Sequence, residues 1–212
     1  MNFKKLALSM LAFLLVGASL HSVAAQEEVA EVEAPRAMIE KMHAAMDKLL
    51  EKAKPGSMPV VHKIVEKNLE KTFDLETFAS LALKRYFKKL KTKDRKDYIR
   101  SFQGLIEATY TKRLKPGVSH WMKHRGEKII DNRSKVSITV GNDESEFDVD
   151  YLMELDSKLG WRIYDIWIDD VSMARNYRSQ FYKIYKANGL RGPKGLIEHM
   201  DRRRKEQRKE GL

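Results

Sequence analysis

The stretch WRIYDIWIDDVSMARNYRSQF (161–181) changes its apolar period part-way along. Its first half alternates bulky apolar and polar side chains, which is typical of a half-buried β-strand. From Val171 onward the apolar side chains recur every three or four residues, through Ala174, Tyr177 and Phe181, as they do along an amphipathic helix. The stretch therefore predicts a strand that leads directly into a helix.

Asp169 and Asp170 stand at the junction of this predicted strand and helix. A carboxylate just before a helix accepts hydrogen bonds from the unpaired N–H groups of the first turn, so we expect one of them to be the N-cap. A catalytic carboxylate pair with Asp165 is the alternative. That chemistry needs a partner base or a metal, and no histidine lies nearby in sequence.

The same periodicity analysis divides the rest of the chain into helices, then strands, then helices. The predicted helices span about 36–53, 58–72, 74–87, 92–114, 171–187 and 196–207, the last dissolving into a basic tail, and the predicted strands 127–131, 134–140, 146–155 and 161–168. Short links between consecutive strands favour an antiparallel meander. We therefore predict an α+β fold, a twisted antiparallel sheet of about four strands covered by helices on one face.

The first residues predict export from the cytoplasm. Lys4 and Lys5 precede the apolar run LALSMLAFLLVGASL (6–20), and small residues follow in VAA (23–25). This is the pattern of a secretory signal peptide cleaved after Ala25, with an uncleaved anchor as the alternative. We then expect a flexible acidic lead over 26–35, a single domain over 36–200 and a solvated basic tail over 201–212.

Composition limits the classes of function. The chain has 212 residues, no cysteine and a formal net charge of +11. The core must therefore stabilise the fold without disulfides. The positive charge favours anionic partners; for an exported protein these are a membrane surface or an acidic envelope protein, and no nucleic acid is expected.

Signatures of catalysis are few. The chain has no phosphate-cradling glycine loop and no HExxH motif, so we expect no enzyme, no cofactor and no metal. His120 and His124 have the i, i+4 spacing that two metal ligands on a helix can use, but two exposed histidines are the favoured interpretation. The ten methionines and the aromatic residues either form an ordinary core or line a cavity that adapts to flexible apolar ligands, and sequence leaves both open.

The opening stretch and its surroundings resemble the MlaC family of periplasmic phospholipid carriers, also known for toluene tolerance and lipid asymmetry. The resemblance rests on Trp161, Tyr164-Asp165, Asp169-Asp170-Val171-Ser172, the run from Asn176 to Phe181, Gly189, Leu196-Ile197 and the helical region 73–110. The chain departs from the family pattern at Asp169-Asp170, where Glu-Gly is usual, and at Lys84, where a glycine is usual.

The resemblance implies a fold and a function. The family fold combines an NTF2-like subdomain with a helical subdomain around a deep apolar cavity, which holds the acyl chains and leaves the headgroup at the mouth. The implied partners are phospholipid, an outer-membrane lipoprotein complex and an inner-membrane ABC transporter complex, between which a monomer shuttles lipid through the periplasm. The alternatives are a non-enzymatic envelope scaffold on the same fold, or a carrier of a polycyclic lipid such as a hopanoid.

Two sets of residues are expected to contact such a lipid. The apolar wall is predicted from the inward positions of the helices and strands: Phe102, Ile106, Tyr110, Val149, Tyr151, Met153, Tyr164, Ile166, Val171 and Phe181. Contacts with the headgroup or an acidic partner are predicted for Arg178, Lys183 and Arg191.

Overall fold

The structure is a computed structural model that describes residues 33–54, 57–111, 120–142, 145–187 and 192–210. The predicted signal peptide and most of the predicted acidic lead lie outside these residues. The described helices are α1 (Pro35–Lys52), α2 (Met58–Thr72), α3 (Leu75–Leu83), a 3-10 helix (Lys84–Lys89), α4 (Thr92–Thr111), α5 (Met173–Ala187) and α6 (Gly192–Glu210). The described strands are β1 (Trp121–Ile130), β2 (Arg133–Gly141), β3 (Glu146–Asp156), β4 (Gly160–Ile168) and β5 (Val171–Ser172).

The strands form one antiparallel sheet in the order β1-β2-β3-β4-β5, which confirms the predicted meander and the α+β class. α1 contacts β2, and α2 contacts β4. α3, α4 and α5 form a group of helices, and α6 packs against α4. The buried apolar side chains of the sheet and of the helices form one continuous core. Among the described helices, none has both the length and the apolar character that crossing a bilayer requires.

β1 begins at Trp121, earlier in the chain than the sequence predicted. It is an edge strand, and alternate side chains in its first half are only half-buried while its last residues are exposed. Charged residues such as Lys123 and Arg125 therefore weaken the apolar alternation that marks a strand. His124 lies in this strand and His120 just before it, so the helical i, i+4 spacing considered for them is wrong.

The junction between β4 and α5 differs from the prediction in its capping residue. Asp169 and Asp170 form a two-residue turn between the paired Ile168 and Val171, with φ angles of 46° and 62°. This left-handed geometry is that of the hairpin turns that glycine and asparagine favour. α5 begins only at Met173, and its cap is Ser172, whose Oγ accepts a hydrogen bond from the Arg175 N–H at 3.1 Å.

α6 continues through residues that the sequence assigned to a solvated basic tail. Gln207 is buried, with its Oε1 2.8 Å from the Thr109 hydroxyl, and Arg208 forms a 3.2 Å ion pair with the buried carboxylate of Glu107. Because these contacts are polar, the apolar periodicity of the sequence does not predict them. The predicted last helix over 196–207 is therefore present and extends to Glu210, and its end packs on α4 where a solvated tail was expected; 211 and 212 lie outside the described residues.

The helix predicted over 74–87 is divided at Lys84. Its backbone has a φ of 47° and a ψ of −115°, a region that side chains with a Cβ rarely adopt. α3 ends there, and the chain continues as a 3-10 helix.

We predict that Lys84→Gly stabilises the fold by about 1–2 kcal/mol, because glycine adopts this backbone conformation without steric cost. Chemical denaturation measures the change in free energy of unfolding. The control is Lys88→Gly, at an equally exposed lysine of the 3-10 helix whose φ is not positive. This change should destabilise by about 1 kcal/mol. Equal effects of the two substitutions would contradict a strained backbone at Lys84.

Candidate functional site

One face of the sheet is apolar over three adjacent strands. Paired positions along β2, β3 and β4 place the same kind of side chain side by side, as in Val136 opposite Tyr151 and Tyr151 opposite Ile166. The buried members of this inner face are Val136, Ile138, Val140, Phe147, Val149, Tyr151, Met153, Trp161, Ile163, Ile166 and Ile168. The sheet thus offers helices a continuous apolar surface, with its charged side chains on the other side.

α1 covers this face. Its buried residues Ile39, Met42, Met46 and Leu50 recur at three- and four-residue spacing. The first turn is tied to β1, because the Arg36 backbone N–H donates to the Glu127 carboxylate at 3.0 Å. Further along, His43 Nε2 lies 2.9 Å from the Tyr151 hydroxyl, a buried hydrogen bond between helix and sheet.

The groups around His43 form a small polar cluster beneath α1. Burial, with a smaller contribution from His120, lowers the pKa of His43 from 6.5 to about 3. Burial also raises the pKa of Asp47, which accepts a backbone hydrogen bond from His120, and raises the pKa of Tyr151 well above its usual value. The imidazole is therefore neutral at ordinary pH, because protonating it would bury a positive charge between α1 and the sheet.

A second apolar group fills the space between α3, α4 and α5. Phe102 of α4 is its centre, with ring centroids 4.9 Å from Tyr177, 5.2 Å from Phe181 and 5.5 Å from Phe78. Tyr98 stacks on the other side of Phe102 and donates to the Ala79 carbonyl at 3.1 Å. The edge-to-face contacts hold three helices together.

Most residues of the predicted wall lie in this interior. Seven are buried, three on β3, one on β4 and three on α4 and α5: Val149, Tyr151, Met153, Ile166, Phe102, Ile106 and Phe181. They fall into two places, the inner face of the sheet and the group around Phe102. The side chain of Tyr110 lies outside the described residues.

Two residues of the predicted wall point elsewhere. β4 carries a bulge next to Tyr164, which shifts the alternation of the strand. Tyr164 is half-buried and lies 6.0 Å from the Arg133 guanidinium, next to Glu154, on the polar side of the sheet. Val171 is 54% exposed, because it sits in β5 and not in the helix. The expectation of a buried wall position is wrong for both.

The predicted headgroup contacts are scattered. Arg178 donates two hydrogen bonds to the Leu81 carbonyl, at 3.0 and 2.6 Å from Nε and Nη2, and so caps the end of α3. Lys183 is exposed on α5, and Arg191 lies outside the described residues. The Arg178 guanidinium is therefore bound to the Leu81 carbonyl and is not free to bind a headgroup.

Asp165 is a buried carboxylate with four donors. Its Oδ1 accepts from the backbone N–H groups of Ile166 and Ala174, at 2.9 and 3.1 Å. Its Oδ2 accepts from the Trp167 indole and the Ser172 hydroxyl, at 3.0 and 2.7 Å. A carboxylate so fully occupied holds β4, β5 and α5 in place and has little capacity left for acid–base chemistry.

The outer face of the sheet is polar. Arg125 forms ion pairs with Asp148 at 3.0 Å and Asp150 at 3.5 Å, and Lys135 pairs with Asp150 at 2.9 Å. In the part of the chain that the structure describes, no three histidine, cysteine, aspartate or glutamate side chains come together as a metal site.

This architecture, a one-sided antiparallel meander whose apolar face is covered by helices, defines an α+β protein with a large apolar interior. The family model described as MlaC protein matches residues 37–202. The chain therefore belongs to the MlaC family.

A solved structure has the same fold. It is a phospholipid-binding protein from Ralstonia solanacearum in complex with a phospholipid, and it is 21% identical to this chain. The match covers 76% of this chain and 88% of that one, with a TM-score of 0.64. A comparison with curated protein sequences finds no match.

We predict that Asp165→Asn lowers the free energy of unfolding by about 2–3 kcal/mol, because an amide cannot accept from all four donors and leaves buried groups unpaired. Urea denaturation measures this loss. The comparison is Asp156→Asn, at an exposed carboxylate that accepts from the backbone N–H groups of Lys158 and Leu159. It should cost less. An equal loss at both positions would mean that burial does not set the importance of Asp165.

We predict that His43 makes the fold less stable as the pH falls. The unfolded imidazole binds a proton below its ordinary pKa of 6.5, whereas the folded one does so only near 3. Its contribution is thus present above about pH 6.5 and is lost by about 1.4 kcal/mol per pH unit between these two values.

Denaturation curves of His43→Gln measured across this pH range should show a flatter pH dependence than those of the natural chain. Tyr151→Phe is the matched control, because it removes the hydrogen bond and leaves the buried imidazole in place. That variant should lose stability and keep the slope. An unchanged slope in His43→Gln would disprove the assignment.

Proposed function

We propose that this protein is a periplasmic phospholipid carrier, and not an enzyme, that holds acyl chains between the inner face of its sheet and the covering helices. The observation that carries the proposal is the apolar inner face of β2, β3 and β4 in a chain of the MlaC family. The phospholipid complex of the Ralstonia solanacearum protein, which has the same fold, supports it.

The energetics of lipid transfer require an apolar interior of this kind. Exposing a buried methylene to water costs about 0.8 kcal/mol, so two chains with ~30 methylenes in total cost roughly 25 kcal/mol. A carrier must therefore cover the chains almost completely. The phosphate remains wet, because burying its charge without a partner would cost far more than leaving it in water.

The composition of the interior suits an occupant of variable shape. Five buried methionines lie on three helices and one strand: Met42, Met46, Met153, Met173 and Met200. Methionine is unbranched and polarisable, so it repacks around a flexible chain at small cost. Acyl chains would take the space that these side chains and α1 fill in the structure.

The proposed route follows from the N-terminal sequence and the family. A signal peptide cleaved after Ala25 would deliver residues 26–212 to the periplasm. There the carrier would exchange lipid with an outer-membrane lipoprotein complex and an inner-membrane ABC transporter. Release of the chains would need such a partner, given the cost of exposing them to water.

The chain offers an internal test of where the acyl chains lie. Trp161 is buried on the inner face of the sheet, opposite Leu155, whereas Trp167 is on the outer face, opposite Asp150. Only three tryptophans are present. Trp121→Phe with Trp167→Phe leaves Trp161 as the reporter, and Trp121→Phe with Trp161→Phe leaves Trp167.

Phospholipid brominated along its acyl chains quenches tryptophan fluorescence on contact. After incubation with vesicles of this lipid and their removal, we expect strong quenching of Trp161 and little of Trp167. Native mass spectrometry of the same samples counts bound lipid. A protein that stays empty would disprove the carrier function and favour a scaffold on the same fold; bound lipid with equal quenching of both reporters would disprove the inner-face site.

A further inference from the structure

One face of α6 carries polar side chains where a packed helix would be expected to carry apolar ones. His199, Arg203 and Gln207 follow one another at four-residue spacing and line a crevice of about 100 Å³ between α4, α5 and α6. On the same helix Leu196 and Met200 are fully buried. His199 and Arg203 line the crevice with residues of α5, whereas Gln207 also accepts a hydrogen bond from Thr109 of α4.

The floor of the crevice is apolar. It consists of Leu105 from α4 and of Met173, Tyr177, Phe181 and Ile184 from α5. Asn176 and Gln180, one helical turn apart on α5, complete the rim opposite α6. An apolar floor beneath a polar rim suits an amphiphile better than a wholly polar ligand.

The rim of α6 is electropositive. Arg202 Nη2 lies 3.0 Å from His199 Nδ1, and Arg203 Nη1 lies 3.8 Å from the Glu206 carboxylate. Burial lowers the pKa of His199, and so do the charges of Arg202 and Arg203, with Glu206 opposing them. The guanidinium groups of two successive residues attract an anion, and the planar fork of an arginine suits the oxygens of a phosphate.

We propose that this crevice is the mouth of the lipid site, where Arg203 and Arg202 bind the phosphate of an anionic phospholipid and the start of its acyl chain lies on Tyr177 and Phe181. This inference rests on the proposed carrier function and names the place and charge of the headgroup. The predicted headgroup residues Arg178, Lys183 and Arg191 are not needed for it.

The floor of the crevice leads into the interior. Tyr177 and Phe181 also contact Phe102, the centre of the aromatic group, at ring-centroid distances of 4.9 and 5.2 Å. A chain that passes between them reaches the predicted wall. The crevice is smaller than a cavity of about 150 Å³, which holds a benzene molecule, so it must widen as a chain enters.

The contacts of α6 indicate which side widens. α6 packs more extensively on α4 than on α5, and the Glu107–Arg208 ion pair and the Thr109–Gln207 contact add to its hold on α4. Toward α5 the helix presents the polar side chains of His199 and Arg203. Separation of α5 from α6 therefore costs less buried apolar area than separation of α6 from α4.

Plugging the mouth tests the proposal. Asn176→Trp and Gln180→Trp place a large ring at the rim, and Ser179→Trp places the same ring at an exposed position of α5 that does not line the crevice. Each variant is incubated with dioleoylphosphatidylglycerol vesicles, and bound lipid is counted by native mass spectrometry. We expect about tenfold less lipid in the two rim variants and no change in the control.

Removing the charge tests the headgroup contact. Arg203→Gln should reduce the preference for phosphatidylglycerol over phosphatidylcholine vesicles about five- to tenfold, whereas Lys205→Gln, exposed on the same helix and outside the crevice, should not. Glycerol 3-phosphate should bind far more weakly than the lipid. If it binds as tightly, the crevice is a site for a free phosphate compound and the proposal is overturned.

The outcomes separate the two claims. Natural protein that binds no lipid disproves the carrier function, and the mouth with it. Natural protein that binds lipid while the rim variants bind equally well, with melting curves that show all of them folded, disproves the mouth alone.

Discussion

The carboxylate of Asp165 is the contact on which the arrangement of sheet and helices depends. It lies beside the bulge of β4, next to Tyr164, and collects donors from β4, β5 and α5. The aspartate turn at 169–170 and the Ser172 cap then fix the direction in which α5 leaves the sheet. This direction places Tyr177 and Phe181 against Phe102. The buried carboxylate thus helps to fix α5, and with it the aromatic group, relative to the sheet.

Sequence predicted the parts of the fold that bury a regular apolar face. In β3 every second side chain is buried, at Phe147, Val149, Tyr151 and Met153, and in α1 every fourth one is, at Met42, Met46 and Leu50. In both elements the spacing of the apolar residues predicts which side is buried. β1 and α6 are both longer than the sequence predicts. β1 is an exposed edge strand, and the end of α6 is held by Gln207 and Arg208, so both bury few apolar side chains.

The site was predicted less completely than the fold. Periodicity placed seven wall residues in the interior, but it failed at Tyr164, where a bulge shifts the alternation, and at Val171, where a turn delays the helix. Two departures from the family pattern mark unusual backbone conformations that periodicity does not predict. Lys84 and Asp170, where the family has glycine, both have positive φ. A missing glycine here marks a backbone conformation that the chain retains at the expense of strain.

Burying His43 fits the proposed carrier function, in which α1 would move away from the sheet to admit lipid. A neutral imidazole that lies 2.9 Å from the Tyr151 hydroxyl helps to hold α1 in place, and the buried side chains of Ile39, Met42, Met46 and Leu50 around it make apolar, non-directional contacts. Apolar packing can be exchanged for acyl chains at little net cost, since both partners offer similar surface. A polar contact cannot be exchanged in this way, because its groups would lie unpaired against hydrocarbon. The few directional contacts under α1 therefore fix the position of the helix in this structure. The remaining, apolar part of the interface could be exchanged for acyl chains.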